Sequence, residues 1–214
     1  REGLRFVRTH PWCWTSIVGG SFSLLAYFGP SEVLLPYLAK NELGVGAQGL
    51  GAILALRGVG AVLAALVVGQ TGVPRRLITA MFLTWGGGLA ATAGFGLMTT
   101  LWEGLAVALV GGALLSAAEI FWATILQRFV PGELLGRVAS VDVLCSSALL
   151  PLSQGLVGPL AQVVGARAVM TAGPLIAGLL FVSFTLVPGV HDPERRRVRA
   201  GTDAHGDDSG RSEE

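Results

Sequence analysis

Six long apolar stretches, separated by short hydrophilic or helix-breaking segments, constrain the fold of this chain more than any other feature of its sequence. Each is about as long as the roughly 20 residues that a helix needs to cross the hydrocarbon core of a bilayer. None has the strict alternation of a transmembrane β-strand. The sequence therefore predicts an all-α membrane protein with spans at about residues 14–39, 45–69, 77–98, 105–126, 138–164 and 168–189.

The composition supports the same fold class. Of the 214 residues, 52% are hydrophobic and 14% are charged, whereas about 25% of residues are charged in an average soluble domain. The two cysteines, Cys13 and Cys145, are too few for a disulfide framework or a zinc site of their own. The chain also lacks the Gly-x-x-x-x-Gly-Lys-Ser/Thr pattern of a nucleotide-binding loop. We therefore expect no metal, no cofactor and no nucleic-acid partner, and a lipid bilayer around the helices.

The basic residues predict the orientation in the membrane. If the N-terminus is cytoplasmic, 12 of the 15 basic residues lie in cytoplasmic segments, in agreement with the positive-inside rule. Both termini are then cytoplasmic, with residues 1–13 before the membrane domain 14–189 and residues 190–214 after it. The polar tail cannot bury enough surface to fold alone, so we expect disorder, with a regulatory segment as the alternative. The Ala/Gly/Arg-rich, lysine-poor composition favours a GC-rich bacterial genome, so we expect the chain in a bacterial inner (plasma) membrane.

Four ionisable residues lie inside the predicted spans, where a charge at mid-bilayer costs about 2.5–3.5 kcal/mol. They are Glu32 in the first span, Arg57 in the second, Glu119 in the fourth and Asp142 in the fifth. Grouped as two triplets, the spans repeat one pattern, with charges in the first two members and none in the third. Two triplets of helices must run in opposite directions across the membrane. The pattern therefore predicts two inverted three-helix repeats, as in secondary transporters.

The depth of each charge suggests its role. Arg57 is near the middle of its span, whereas Glu119 and Glu32 lie closer to opposite membrane faces. We expect Glu32 and Glu119 to face water as proton- or substrate-binding groups, with an ion pair to Arg57 as the alternative. Asp142 lies a few residues inside the membrane boundary, so pairing with Arg137 or with a helix N-terminus is the favoured interpretation.

Residues near Glu119 are candidates for the lining of a cavity. Ser116, Phe121 and Trp122 belong to the same span, although core packing is the favoured interpretation for the two aromatic residues. Prolines interrupt the first and fifth spans, which is typical of a substrate path. Runs of small residues such as Gly58-Val59-Gly60 instead indicate close packing of helices.

One segment resembles a known family. Residues 126–138 are similar to the cytoplasmic loop between helices 10 and 11 of the major facilitator superfamily, with a Pro-x-Glu-x-x-Gly-Arg core formed by Pro131, Glu133, Gly136 and Arg137. Glu133 and Arg137 can anchor helix ends by charge pairing. Gly136 permits a sharp turn into the next helix.

A second segment, residues 69–76, resembles the family's loop between helices 8 and 9. It has the glycine and the paired arginines, Arg75 and Arg76, but lacks the usual acidic residue. The resemblance implies that the six spans are helices 7 to 12 of a major facilitator fold. Their partner would be the N-terminal six-helix half of the same protein. The first and fourth spans would line the central cavity, the second and fifth would face the other half, and the third and sixth would face lipid.

The leading hypothesis is a secondary active transporter similar to bacterial drug and siderophore exporters of the proton-antiport type. It would move a small, partly hydrophobic molecule by alternating access. A membrane-embedded enzyme is disfavoured, because no histidine lies within a span and no Ser/His or His/Glu constellation occurs there. The alternative is a non-transporting membrane bundle that acts as an assembly or sensor partner.

Overall fold

The computed structural model describes residues 2–190, and the regular structure of these residues is entirely helical. A short helix, Glu2–Thr9, precedes six helical segments that are long and apolar enough to cross a membrane. We number these segments spans 1 to 6: Pro11–Glu42, Gly46–Thr71, Leu77–Leu97, Leu101–Phe129, Gly132–Val164 and Ala166–Leu186. The number of predicted spans is confirmed, and the chain has the helices of a multi-pass membrane bundle. The predicted disordered tail lies outside the described residues, except for Val190, which is buried.

Span 1 changes its hydrogen-bonding pattern part way along. It is α-helical over Pro11–Gly29 and then contains two π-helical turns, Pro30–Leu34 and Leu38–Glu42. Pro30 has no backbone N–H, so the regular α-helical ladder cannot continue through it. Span 4 is a single α-helix, Leu101–Phe129, so the break in span 1 has no counterpart there. The other interruptions divide spans 3 and 5 into Leu77–Thr92 with Gly94–Leu97 and Gly132–Ala148 with Leu150–Val164.

The spans pack side by side in the order 2–4–3–6–1–5. Glycine permits the closest approaches: a Cβ atom added to Gly60 in span 2 would lie 2.2 Å from the Leu109 carbonyl oxygen in span 4. A Cβ atom on Gly112 in span 4 would lie 2.3 Å from the carbonyl oxygen of Arg57 in span 2. The predicted packing role of the small-residue runs is therefore confirmed at Gly60, whereas a Cβ atom on Gly58 would meet open space.

The two ends of the bundle are held by separate contacts. At one end, Arg167 forms an ion pair with Glu42 and donates a hydrogen bond of 2.8 Å to the Met98 carbonyl. These contacts bring together the end of span 1, the segment after span 3 and the start of span 6. We call this the Arg167 end. At the other end, Arg137 of span 5 forms an ion pair with Glu2. Each end also contains a cluster of buried apolar side chains.

Spans 2 and 5 are the least buried of the six. In their most apolar 18-residue windows, 17% and 11% of the residues are buried, against 33% to 50% in the other four. Because these two spans lie at opposite ends of the packing order, each has a neighbour along one flank and an exposed surface on the other. The interior of the bundle is formed mainly by spans 1, 3, 4 and 6.

Candidate functional site

The guanidinium of Arg57 lies between spans 2 and 1. Its Nη2 atom donates a hydrogen bond of 3.1 Å to the hydroxyl oxygen of Tyr27, which is buried. The described part of the chain places no carboxylate in an ion pair with Arg57. A half-buried arginine therefore stands near the middle of a membrane span with a neutral hydroxyl as its partner. The predicted alternative of a Glu32 or Glu119 ion pair with Arg57 is not observed.

A second charged residue pairs with an aromatic group between spans 5 and 4. The indole Nε1–H of Trp122 donates a hydrogen bond of 2.9 Å to Oδ2 of Asp142. Trp122 is buried and Asp142 is half-buried. The two pairs have the same form, because in each a charged group on the second span of a triplet bonds an aromatic group on the first.

Two cavities lie next to these pairs. The smaller one, of about 270 Å³, is lined by both carboxylates, Glu119 and Asp142, together with Trp122. The larger one, of about 470 Å³, is lined by Arg57 and Tyr27 and also by Glu119. Glu119 is exposed on the surface of the six helices, so both cavities open there.

Four residues line both cavities and so form the boundary between them. They are Leu24 and Phe28 of span 1, Trp85 of span 3 and Glu119 of span 4. The boundary therefore consists of three apolar or aromatic side chains and one carboxylate. The charges differ on its two flanks, with a guanidinium in the larger cavity and a second carboxylate in the smaller one.

The expectation for Asp142 needs correction. Asp142 does not pair with Arg137, which forms its ion pair with Glu2 instead. Nor does it lie at a helix start, because span 5 begins at Gly132 and is helical past Asp142. Five residues apart on a helix, Arg137 and Asp142 are on different faces and cannot meet. The carboxylate belongs to the cavity with Glu119.

Glu32 is also placed differently from the expectation. It lies in the π-helical turn Pro30–Leu34 and is exposed, and it lines neither of the two cavities. Among the other predicted lining residues, Ser116 lines the larger cavity and Trp122 the smaller one. Phe121 is buried in the apolar cluster instead.

The loop residues singled out by the resemblance lie at the end opposite Arg167. Pro131 immediately precedes the helix Gly132–Ala148, and Glu133 is exposed in its first turn. Gly136 is inside that helix, so it does not provide the expected sharp turn into it. Its added Cβ atom would meet open space. Arg75 and Arg76 are exposed in the connection between spans 2 and 3.

Three aromatic residues that complete the site are not among the lining residues predicted from the sequence. Tyr27, Phe28 and Trp85 come from spans 1 and 3, far in sequence from the charges they surround. A tyrosine or tryptophan inside a span brings a polar atom that needs a partner, which is the signal that could have found Tyr27. The described residues contain no group of three or more His, Cys, Asp or Glu side chains placed to hold a metal ion.

Comparisons of this chain with protein-family models, with curated proteins and with solved structures found no match. The fold itself defines the class of protein. It is a six-helix membrane bundle with two adjoining cavities, lined by charged and aromatic side chains, on its exposed surface.

Proposed function

We propose that this chain is the membrane domain of a secondary active transporter that couples proton movement to the export of a small, partly hydrophobic molecule. The observation that carries the proposal is the position of Glu119, which lines a cavity with Asp142 on one flank and a cavity with Arg57 on the other. Intramembrane charges are costly, and those that face a cavity mark substrate or proton paths. Glu119, Asp142 and Arg57 are the residues of this path, with Glu32 as an exposed outlying carboxylate.

The proton site in this proposal is the pair Glu119 and Asp142. Two carboxylates that share a cavity repel each other when both are charged, and a bound proton relieves the repulsion. Arg57 lines the neighbouring cavity, where it bonds the hydroxyl of Tyr27, while Asp142 accepts a hydrogen bond from the indole of Trp122. A cationic or polar substrate can take the place of the proton at these carboxylates. This exchange couples the movement of the substrate to the movement of the proton.

The packing order supports an inverted-repeat architecture. Exchange of spans 1 with 4, 2 with 5 and 3 with 6 converts the order 2–4–3–6–1–5 into its own reverse. The same exchange relates the Arg57–Tyr27 pair to the Asp142–Trp122 pair. Such symmetry between oppositely oriented triplets is typical of secondary transporters, whose sites lie at the repeat interface near the bilayer midplane.

The exposed cavities also support a second bundle as partner. We propose that the other six-helix half of a major facilitator fold covers the face that carries Glu119, with spans 2 and 5 against it and both termini cytoplasmic in a bacterial inner membrane. Two domains that rock about such an interface expose the site alternately.

The test uses the full-length protein reconstituted in proteoliposomes with an acidic interior. We expect the pH gradient to drive accumulation of a lipophilic quaternary ammonium cation, which has no neutral form that could be trapped by passive diffusion, and a protonophore to abolish it. Glu119→Gln should lose gradient-driven accumulation but retain exchange of the cation across the membrane, because exchange needs no net proton release. Glu103→Gln, which removes a carboxylate at the Arg167 end and away from both cavities, is the matched control. Unchanged accumulation and pH dependence in a Glu32→Gln, Glu119→Gln double variant contradicts the proposal.

A further inference from the structure

The two cavities differ in charge, and Arg57 in the larger one has no anionic partner among the described residues. An arginine side chain carries five N–H donors and is always protonated in proteins. Among the described residues, the hydrogen bond to the Tyr27 hydroxyl engages one of those donors. The Tyr27 hydroxyl accepts that bond, so its own proton remains free to be donated. The larger cavity therefore presents donors and a positive charge on its Arg57 side, with the Glu119 carboxylate at its boundary with the smaller cavity.

The smaller cavity has the opposite character. Glu119 and Asp142 line it, and no basic side chain is among its lining residues. It presents acceptors and a negative charge whenever at least one carboxylate is ionised. Two half-sites of opposite charge thus lie next to each other in the same surface of the bundle.

Apolar and aromatic side chains separate the two charged regions. Leu24, Phe28 and Trp85 line both cavities, so a molecule that occupies both must pass along these three residues. A cavity of about 470 Å³ is within the range of roughly 300–1,000 Å³ that small-molecule sites occupy. A molecule with an aromatic ring between two polar groups fits this arrangement, in which an apolar boundary lies between two charged regions.

Resting on the transport function proposed above, we infer that the substrate is a small amphoteric molecule, with an amine and a carboxylate at opposite ends of an aromatic or aliphatic body. The carboxylate binds Arg57 and Tyr27, the body lies against Phe28 and Trp85, and the amine binds Glu119 and Asp142. The amine competes with the proton at the two carboxylates, which preserves antiport. The carboxylate of the substrate supplies the counter-charge that Arg57 lacks.

The test compares three probes that share one ring: para-aminomethylbenzoate, its methyl ester and its N-acetyl derivative. The parent has both charges, the ester keeps the amine, and the N-acetyl compound keeps the carboxylate. In exchange assays on proteoliposomes of the full-length protein, we expect the parent to have a KM about tenfold lower than either derivative, since a site built around a charged group discriminates strongly against analogues that lack it. An equal KM for the parent and its ester, or no exchange of the parent, overturns the inference.

Single substitutions test which residues bind the carboxylate and which bind the amine of the substrate. Arg57→Gln should abolish the preference for the parent over the ester and keep the preference over the N-acetyl compound, while Glu119→Gln should have the reverse effect. Arg128→Gln, at an exposed position outside both cavities, should keep both preferences. If Arg57→Gln fails to fold, the probe preferences of the unaltered protein still decide the matter. If proton-driven accumulation is absent but the probe preference is intact, proton coupling is refuted and the amphoteric substrate stands. If transport is proton-driven but shows no preference among the probes, the amphoteric substrate is refuted and proton coupling stands.

Discussion

The backbone N–H of Gly29 in span 1 donates a hydrogen bond of 2.7 Å to the hydroxyl oxygen of Ser153 in span 5. The same hydroxyl donates a bond of 2.6 Å to the Leu25 carbonyl, which is the group that Gly29 would bond in a regular α-helix. Ser153 is thus inserted into the hydrogen-bond ladder of span 1, one residue before the π-helical turn that begins at Pro30. Such insertions are a known cause of bends in helices.

Ser153→Ala should destabilise the folded protein by about 1 kcal/mol, which is the usual size of an interhelical hydrogen bond in a membrane. The variant leaves the Gly29 N–H and the Leu25 carbonyl without their bridge. The measurement is the free energy of unfolding by SDS titration in mixed micelles. Ser183→Ala removes an exposed hydroxyl that bonds within its own helix, so it should change little. Equal losses in the two variants would argue against a bridging role for Ser153.

Gly60→Ala should destabilise the bundle by about 1–3 kcal/mol, the usual cost of overpacking. Its Cβ atom would lie 2.2 Å from the Leu109 carbonyl oxygen, so spans 2 and 4 must move apart. Gly58→Ala is the matched control in the same helix, since its Cβ atom meets open space. Thermal unfolding in detergent compares the two, and we expect Gly58→Ala to be neutral or slightly stabilising because alanine favours helix.

Arg167→Ala should lower the free energy of unfolding more than Glu42→Ala does. Both variants break an ion pair whose side chains are 41% and 30% exposed, a pair that solvent screening limits to less than about 1 kcal/mol. Only the arginine variant also removes the hydrogen bond to the Met98 carbonyl, which adds about 1 kcal/mol or more. A double-mutant cycle measured by SDS titration separates the two contributions. Equal effects of the single variants would mean that the carbonyl contact contributes nothing.

Cys13 and Cys145 should differ in reactivity with a small maleimide. Cys13 is fully buried, whereas Cys145 is half-buried on span 5, next to the exposed Leu144. We expect one label per native molecule, at Cys145, and two after unfolding in SDS. Intact-mass spectrometry counts the labels, and the Cys145→Ser variant should show none in the native state. Rapid labelling of native Cys13 is the contrary outcome.

The six helices could be predicted because membrane insertion depends on local composition, which hydropathy reports directly. The observed helices are mostly longer than the predicted spans, for example Leu101–Phe129 against 105–126. Their ends continue through polar residues such as Glu103, where the Thr100–Glu103 capping box fixes the start of span 4. A hydropathy profile detects only the part of a helix that lies in the hydrocarbon core. The polar extensions of these helices beyond the core therefore cannot be predicted from hydropathy.

The charged residues of the site could also be found from the sequence, since each is costly within a span. Their partners could not, because Tyr27 and Trp122 reach Arg57 and Asp142 only through the packing of separate helices. The expected pairing of Asp142 with Arg137 depended on nearness in sequence alone. The two residues lie on different faces of the helix that contains them, and Arg137 forms its ion pair with Glu2 of the helix Glu2–Thr9 instead.

The order in which the spans pack has a consequence for synthesis. Of the six spans, span 1 is made before the others, yet its two neighbours in the packing order are spans 6 and 5, which follow all the others. Span 2 likewise packs mainly against span 4, which is made two spans later. A ribosome that has completed spans 1 to 3 has therefore inserted three helices whose main partners do not yet exist. Span 1 must remain in the lipid, with the Gly29 backbone N–H unsatisfied by its final partner Ser153, until the last third of the chain arrives. A machinery that shelters early helices during insertion would therefore matter more for this chain than for a bundle of sequential hairpins.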